Sequence, residues 1–141
     1  MRYIELDTPA LLIDRERLTK NLKDMQSYAD AHGVALRPHT KTHKCPEIAK
    51  MQLAAGACGI AVAKVGEAEA MAEAGLDNLF IANEIVGEAK LRRIAALAKR
   101  GVKLAFGVDT PCQVTAAESV FAQEGVSVPV LVEIEVGENR S

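Results

Sequence analysis

The sequence predicts a parallel α/β fold, a (β/α)8 TIM-type barrel that is incomplete over its 141 residues. Three observations point there. Strand-like and helix-like segments alternate strictly, and a glycine follows nearly every helical pattern (Gly33, Gly56, Gly75, Gly101, Gly125). Strand segments such as Leu79-Phe80-Ile81-Ala82 are continuously apolar, the pattern of strands buried on both faces of a parallel sheet. The units recur every ~20–25 residues without a Gly-x-Gly-x-x-Gly or a Gly-x-x-x-x-Gly-Lys-Ser/Thr, which counts against a dinucleotide-binding fold or a P-loop and favours a barrel.

Each element has a local reason. Residues 9–13 read as a short apolar strand. Asp14 caps the helix that follows, where Leu18, Leu22 and Met25 recur at helical spacing. His32 and Gly33 close it. Strand 34–36 runs into a polar crest, Arg37-Pro38-His39-Thr40-Lys41-Thr42-His43-Lys44-Cys45-Pro46, and Pro46 marks the first turn of a helix with Ile48, Met51 and Ala55 inward. A small-residue strand at 59–65 and a helix at 67–74 follow. Strand 79–82 then carries Asn83 and Glu84 at its carboxyl end, where a pocket would lie. Leu91, Ile94 and Leu97 line the next helix, and Lys99 and Arg100 suit its negative end. Strand 103–108 leads to Asp109-Thr110-Pro111, a helix start continued by Val114, Ala117 and Phe121. Strand 128–136 ends in the crest Gly137-Glu138-Asn139-Arg140-Ser141.

From Val34 onward this gives five strands, or six with residues 10–13. A closed barrel needs eight strands and about 250 residues. The expectation is the amino-terminal part of a longer protein, with an apolar sheet edge exposed.

Composition narrows the function. Apolar residues make up 49 % and charged residues 26 %, ordinary for a soluble globular domain. A net charge of −2 gives no electrostatic case for nucleic acid or an anionic membrane. Aromatics are 4 % and tryptophan is absent, which argues against base stacking. No apolar run reaches the roughly 20 residues of a membrane span, and no signal-peptide core follows Met1. Cys45, Cys58 and Cys112 have no metal-site spacing, so reduced thiols and a cytoplasmic location are expected.

The crest concentrates the chemistry. In parallel α/β folds functional groups gather at the carboxyl ends of strands. Here that end carries His39, Lys41, His43, Lys44 and Cys45. Solubility does not require a histidine pair around a lysine, and Pro38 stiffens the backbone just before Lys41. His39, His43 and Cys45 are of metal-ligand type, but no fourth ligand is evident, so no metal site is assigned.

Three blocks carry a family resemblance: Asp7-Thr8-Pro9-Ala10-Leu11-Leu12-Ile13-Asp14, then Leu36-Arg37-Pro38-His39-Thr40-Lys41-Thr42-His43-Lys44, then Val132-Glu133-Ile134-Glu135-Val136-Gly137-Glu138-Asn139-Arg140. In order and spacing they resemble the D-threonine aldolase and D-serine dehydratase-like family, pyridoxal-phosphate enzymes of alanine racemase-like fold. The resemblance implies that residues 1–141 are the amino-terminal portion of the pyridoxal-phosphate-binding barrel, with a carboxyl-terminal β domain outside this chain. It implies that segment 10–13 pairs with that β domain, that 34–36 is barrel strand one, and that 128–136 is strand five.

By the same resemblance Lys41 forms the Schiff base with pyridoxal 5′-phosphate, and a lysine nucleophile is served by burial near other cations. Arg140 matches an arginine that reaches the cofactor ring, and His39 a position beside the cofactor. The implied activity is a lyase acting on D-configured β-hydroxy amino acids, cleaving Cα–Cβ to glycine and an aldehyde. D-serine dehydratase, amino-acid racemase and a non-catalytic pyridoxal-phosphate carrier are the alternatives. A racemase would read Lys-Ala-x-Ala-Tyr-Gly where this chain has Lys41-Thr42-His43-Lys44-Cys45-Pro46, which moves weight to the lyases. The family also implies a divalent metal, manganese or zinc, on ligands outside this chain, and a homodimer.

Overall fold

The computed structural model describes residues 2–139. The elements are α1 (Arg15–Ala31), α2 (Pro46–Ala55), β1 (Ile60–Val62), α3 (Val65–Glu73), β2 (Asn78–Glu84), α4 (Glu88–Lys99), β3 (Lys103–Val108), α5 (Pro111–Glu124) and β4 (Val130–Val132). The strands form one parallel sheet in the order β1-β2-β3-β4. Sequential parallel neighbours, each joined through a helix, are what evenly spaced βα units produce.

Register explains the core. Val62, Ile81 and Phe106 lie in one row across the sheet, and Ile60, Leu79 and Leu104 in another. All six are buried, beneath helices that contribute Met71, Leu91, Ile94, Leu97, Val120 and Phe121. The Phe106 and Phe121 rings meet edge to face, centroids 6.1 Å apart at 78°. Leu91, Ile94 and Leu97 fulfil the spacing expected for α4.

Other elements depart from the sequence expectation. The apolar run 79–82 alternates instead of burying both faces: Leu79 and Ile81 are buried, whereas Phe80 is half-buried and Ala82 exposed. Among the described residues no element covers that second face. Segment 9–13 forms no strand, and Leu11, Leu12 and Ile13 are exposed, because no neighbouring strand receives its backbone groups among the described residues. The strand expected at 128–136 shortens to Val130–Val132 for the same reason, with Ile134 and Val136 exposed. In α1 the stripe Leu18, Leu22 and Met25 is only partly covered, and the buried side chains are Gln26 and Ala29. On α5, Val120 takes the inward place expected of Val114, which is exposed. Helix capping is as expected. Asp14 accepts the Arg17 N–H at 3.0 Å, and Pro46 and Pro111 sit in the first turns of α2 and α5.

Candidate functional site: a lysine at the rim of a carboxylate-lined cleft

The strand expected at 34–36 is an extended segment, hydrogen-bonded alongside β1 and joined to it by one isolated bridge, His39 to Ala61. Leu36 O accepts from Cys58 N–H at 2.9 Å, Pro38 O from Ala61 N–H at 2.8 Å, and Ala61 O from Thr40 N–H at 2.9 Å. Extended backbone alternates sides, so Thr40 turns inward and is fully buried, while His39 and Lys41 share the opposite side. The chain then bends. Lys44 N–H donates to Thr40 O at 2.7 Å, closing one turn around Lys41, Thr42 and His43. Lys44 itself takes a left-handed conformation (φ 47°), which costs a side-chain-bearing residue ~1–2 kcal/mol. Such strain persists where the surroundings over-determine the backbone.

The two histidines hold this bend in the same manner. His39 Nδ1 accepts the Lys41 N–H at 3.2 Å, and His43 Nδ1 accepts the Cys45 N–H at 3.0 Å. Both rings have pKa values below the ordinary histidine range, in each case chiefly through burial. For His39 the Lys41 charge adds to the effect and Glu67 opposes it. Their Nδ1 atoms are therefore committed to backbone amides.

Lys41 and His39 line a cleft of about 410 Å³ at the carboxyl ends of the strands, facing Phe80, Asn83, Glu84 and Glu133. Segment 134–138 supplies the rest of the wall. Lys41 is exposed, and its ammonium makes no ion pair among the described residues. Burial had been expected for it. The other cation at the start of the crest lies elsewhere: the Arg37 guanidinium donates to Asn78 Oδ1 at 3.1 Å, at the amino end of β2. Arg140, expected at the cofactor ring, falls outside the described residues.

The opposite wall is acidic. Register slips between Ile81 and Glu84, a bulge that re-aims the end of β2 towards the cleft. Asn83 and Glu84 therefore line it, as their strand-end position predicts. The Glu84 carboxyl is raised above its usual pKa. Its own backbone N–H, the largest single influence, favours the charged form. A hydrogen bond with Glu133, partial burial, and the charges of Glu133 and Asp109 together outweigh it. A raised carboxyl pKa means that folding is favoured with Glu84 protonated, a contribution present below about pH 4.5 and lost as pH rises through the folded value. Glu84→Gln is therefore expected to be more stable than the parent at pH 7, by no more than ~0.5 kcal/mol given solvent screening. The gain should vanish near pH 4, and urea denaturation at the two pH values checks this.

Sequence reasoning missed Glu67. Its carboxylate is nine-tenths buried, accepts the Ala63 N–H at 2.7 Å, and lies 3.9 Å from the Lys44 ammonium. Its signal was a glutamate in the first turn of α3. Among the described residues no group of three or more His, Cys, Asp or Glu is placed to hold a metal ion, and no helix is long and apolar enough to cross a membrane.

Comparison with known proteins places this geometry. The family described as alanine racemase, N-terminal domain, matches residues 13–141. The chain belongs to that family. It is 46 % identical over 135 residues to a D-threonine aldolase of Arthrobacter sp., covering 96 % of this chain and 35 % of the relative. The crystal structure of D-threonine aldolase from Filomicrobium marinum superposes with a TM-score of 0.92 at 44 % identity, over 96 % of this chain and 36 % of that one. D-threo-3-hydroxyaspartate dehydratase from Delftia sp. gives 0.91 at 37 % identity, over 98 % and 36 %. The chain thus spans about a third of the length of the relatives it matches. The parallel sheet described above is that third of an alanine racemase-like TIM barrel.

Proposed function

We propose that this chain is the amino-terminal portion of the cofactor-binding barrel of a pyridoxal-phosphate-dependent lyase for D-configured β-hydroxy amino acids, of D-threonine aldolase type. The observation that carries the reading is Lys41, an exposed amine without an ion pair among the described residues, at the rim of a cleft at the carboxyl ends of parallel strands. The 46 % identity to D-threonine aldolase supports that type, with the Delftia dehydratase at 37 % and a 3-hydroxy-D-aspartate aldolase of Paracoccus denitrificans at 34 % as further similar lyases.

The residues present fit the group in part. A lysine amine on a braced turn suits the cofactor aldehyde. His39, whose Nδ1 accepts the Lys41 amide N–H, lines the same cleft as that amine and keeps its second ring nitrogen uncommitted to this bond. Among the described lining residues Lys41 is the one cation, set against the carboxylates of Glu84, Glu133, Glu135 and Glu138, so the phosphate would need donors from elsewhere. Arg140 is the proposed partner of the cofactor ring. When bound, pyridoxal phosphate supplies an electron sink for charge developing at the substrate α-carbon. This chain's part is to fix the backbone that carries the amine, hold the His39 ring in the same cleft, and present an acidic wall opposite. A divalent cation on ligands beyond residue 141, a homodimer, a carboxyl-terminal β domain and a cytoplasmic location complete the proposal.

The test is capture. The intact protein, mixed with pyridoxal phosphate and reduced with borohydride, is expected to carry one cofactor per chain on the peptide containing Lys41. Label spread evenly over Lys20, Lys44, Lys50 and Lys99 would refute the assignment.

A further inference from the structure

Nothing in the cofactor chemistry above uses His43. It sits two residues past Lys41, yet it does not line the cleft. Its Nδ1 receives the Cys45 N–H at 3.0 Å. A nitrogen that accepts a hydrogen bond carries a lone pair, so in the neutral ring the proton is on Nε2. Nε2 is buried and meets no acceptor with full hydrogen-bond geometry, and Gln52 Oε1 on α2 is likewise buried without a donor. The two side chains nevertheless interact. One is an N–H without an acceptor and the other an oxygen without a donor, so pairing them would satisfy both. Left apart, each would cost ~1–3 kcal/mol.

We propose that His43 is the positioning residue for Lys41. It is held as the neutral Nε2–H tautomer between the Cys45 amide and Gln52, and it clamps the crest to the first turns of α2. The connection is short. Cys45 caps α2, its carbonyl accepting from Ala49 N–H at 3.2 Å, and Thr40 O accepts from Lys44 N–H at 2.7 Å. Lys41 lies inside that closed turn, so the backbone carrying the amine is fixed at Thr40 on one side and at His43 on the other. The left-handed Lys44 lies between His43 and the Cys45 amide that its ring accepts, where an unbraced chain would relax. Burial favours the uncharged ring that this arrangement needs.

Two variants separate the hydrogen bond from mere filling of space. Asparagine places an oxygen near the position of Nδ1 and accepts the amide two residues on. Glutamine is closer to histidine in volume and reaches towards Gln52, but it presents no acceptor at that position. The intact protein carrying His43→Asn should capture pyridoxal phosphate at Lys41 within about threefold of the parent rate, and His43→Gln should be at least about tenfold slower. The reverse order, or equal rates, would overturn the proposal. The tautomer is read separately, without cofactor, from the ¹⁵N–¹H spectrum of the ring: a protonated Nε2 with a bare Nδ1 is expected, and a protonated Nδ1 excludes the arrangement. The rate comparison rests on the reading of Lys41 as the cofactor lysine. If the parent protein itself captures none at Lys41, that reading falls, and the ring spectrum alone decides the role of His43.

Discussion

Lys41→Arg will leave the fold intact and abolish cofactor capture. Arginine keeps the positive charge facing Glu84, Glu133, Glu135 and Glu138, so the electrostatics of the cleft are preserved. What it removes is a nitrogen that can lose its proton and attack a carbonyl carbon, since a guanidinium stays protonated at any accessible pH. Borohydride should then fix no cofactor at position 41. On the proposed function, turnover by the intact protein should fall by on the order of 10³-fold or more, the scale on which a reacting group is lost. Lys41→Ala removes charge and amine together, and its loss should be no smaller. Because Lys41 is exposed and its ammonium forms no ion pair among the described residues, either change should shift unfolding free energy by no more than about 0.5 kcal/mol. Loss of capture with unchanged stability would locate the effect in the amine. A Lys41→Arg protein that still captured one cofactor elsewhere would move the site.

Much of this was legible in the sequence, for physical reasons that differ from residue to residue. The spacing of Leu91, Ile94 and Leu97 announced α4 because the helix meets the sheet along one narrow stripe. Lys103–Val108 was readable as a strand because β3 lies between β2 and β4 and both its edges are paired. Where a partner is lacking among the described residues, apolar pattern alone misled. Residues 9–13 and the far end of 128–136 have the composition of strands, but a strand exists only through its ladder. The crest was recognisable from its residue types, whereas its internal division of labour was not. Arg37 and Lys41 are four residues apart in one basic block; the structure sends Arg37 to Asn78 and Lys41 to the cleft. Glu67 and Glu133 join the site only by folding, since α3 and the segment after β4 are distant from the crest in sequence.

The sheet that aims these groups depends most on one side chain. Phe106 is fully buried in the row Val62–Ile81–Phe106, packed beneath α4 and α5. Phe106→Ala is expected to cost about 3–5 kcal/mol, the transfer of an aromatic ring plus the cavity it leaves. Against a domain stability of roughly 5–15 kcal/mol that is a large fraction of the total. The denaturation midpoint should fall with little change in slope. Part of the loss belongs to the edge-to-face contact with Phe121, and a double-mutant cycle with Phe121→Ala should return a coupling of about 0.5–1.5 kcal/mol. Additivity would mean that the two rings merely occupy volume. The consequence reaches the cleft because Phe106 precedes Gly107, which pairs with Glu84 across the sheet and where a side chain would meet the Asn83 carbonyl and the Glu133 carboxylate. A β3 that sinks into the vacated space carries Gly107 with it and changes the separation of Glu84 and Glu133. The raised pKa of Glu84 should therefore relax towards the ordinary carboxylate range in Phe106→Ala, measurable by carboxyl ¹³C titration even where the variant remains folded.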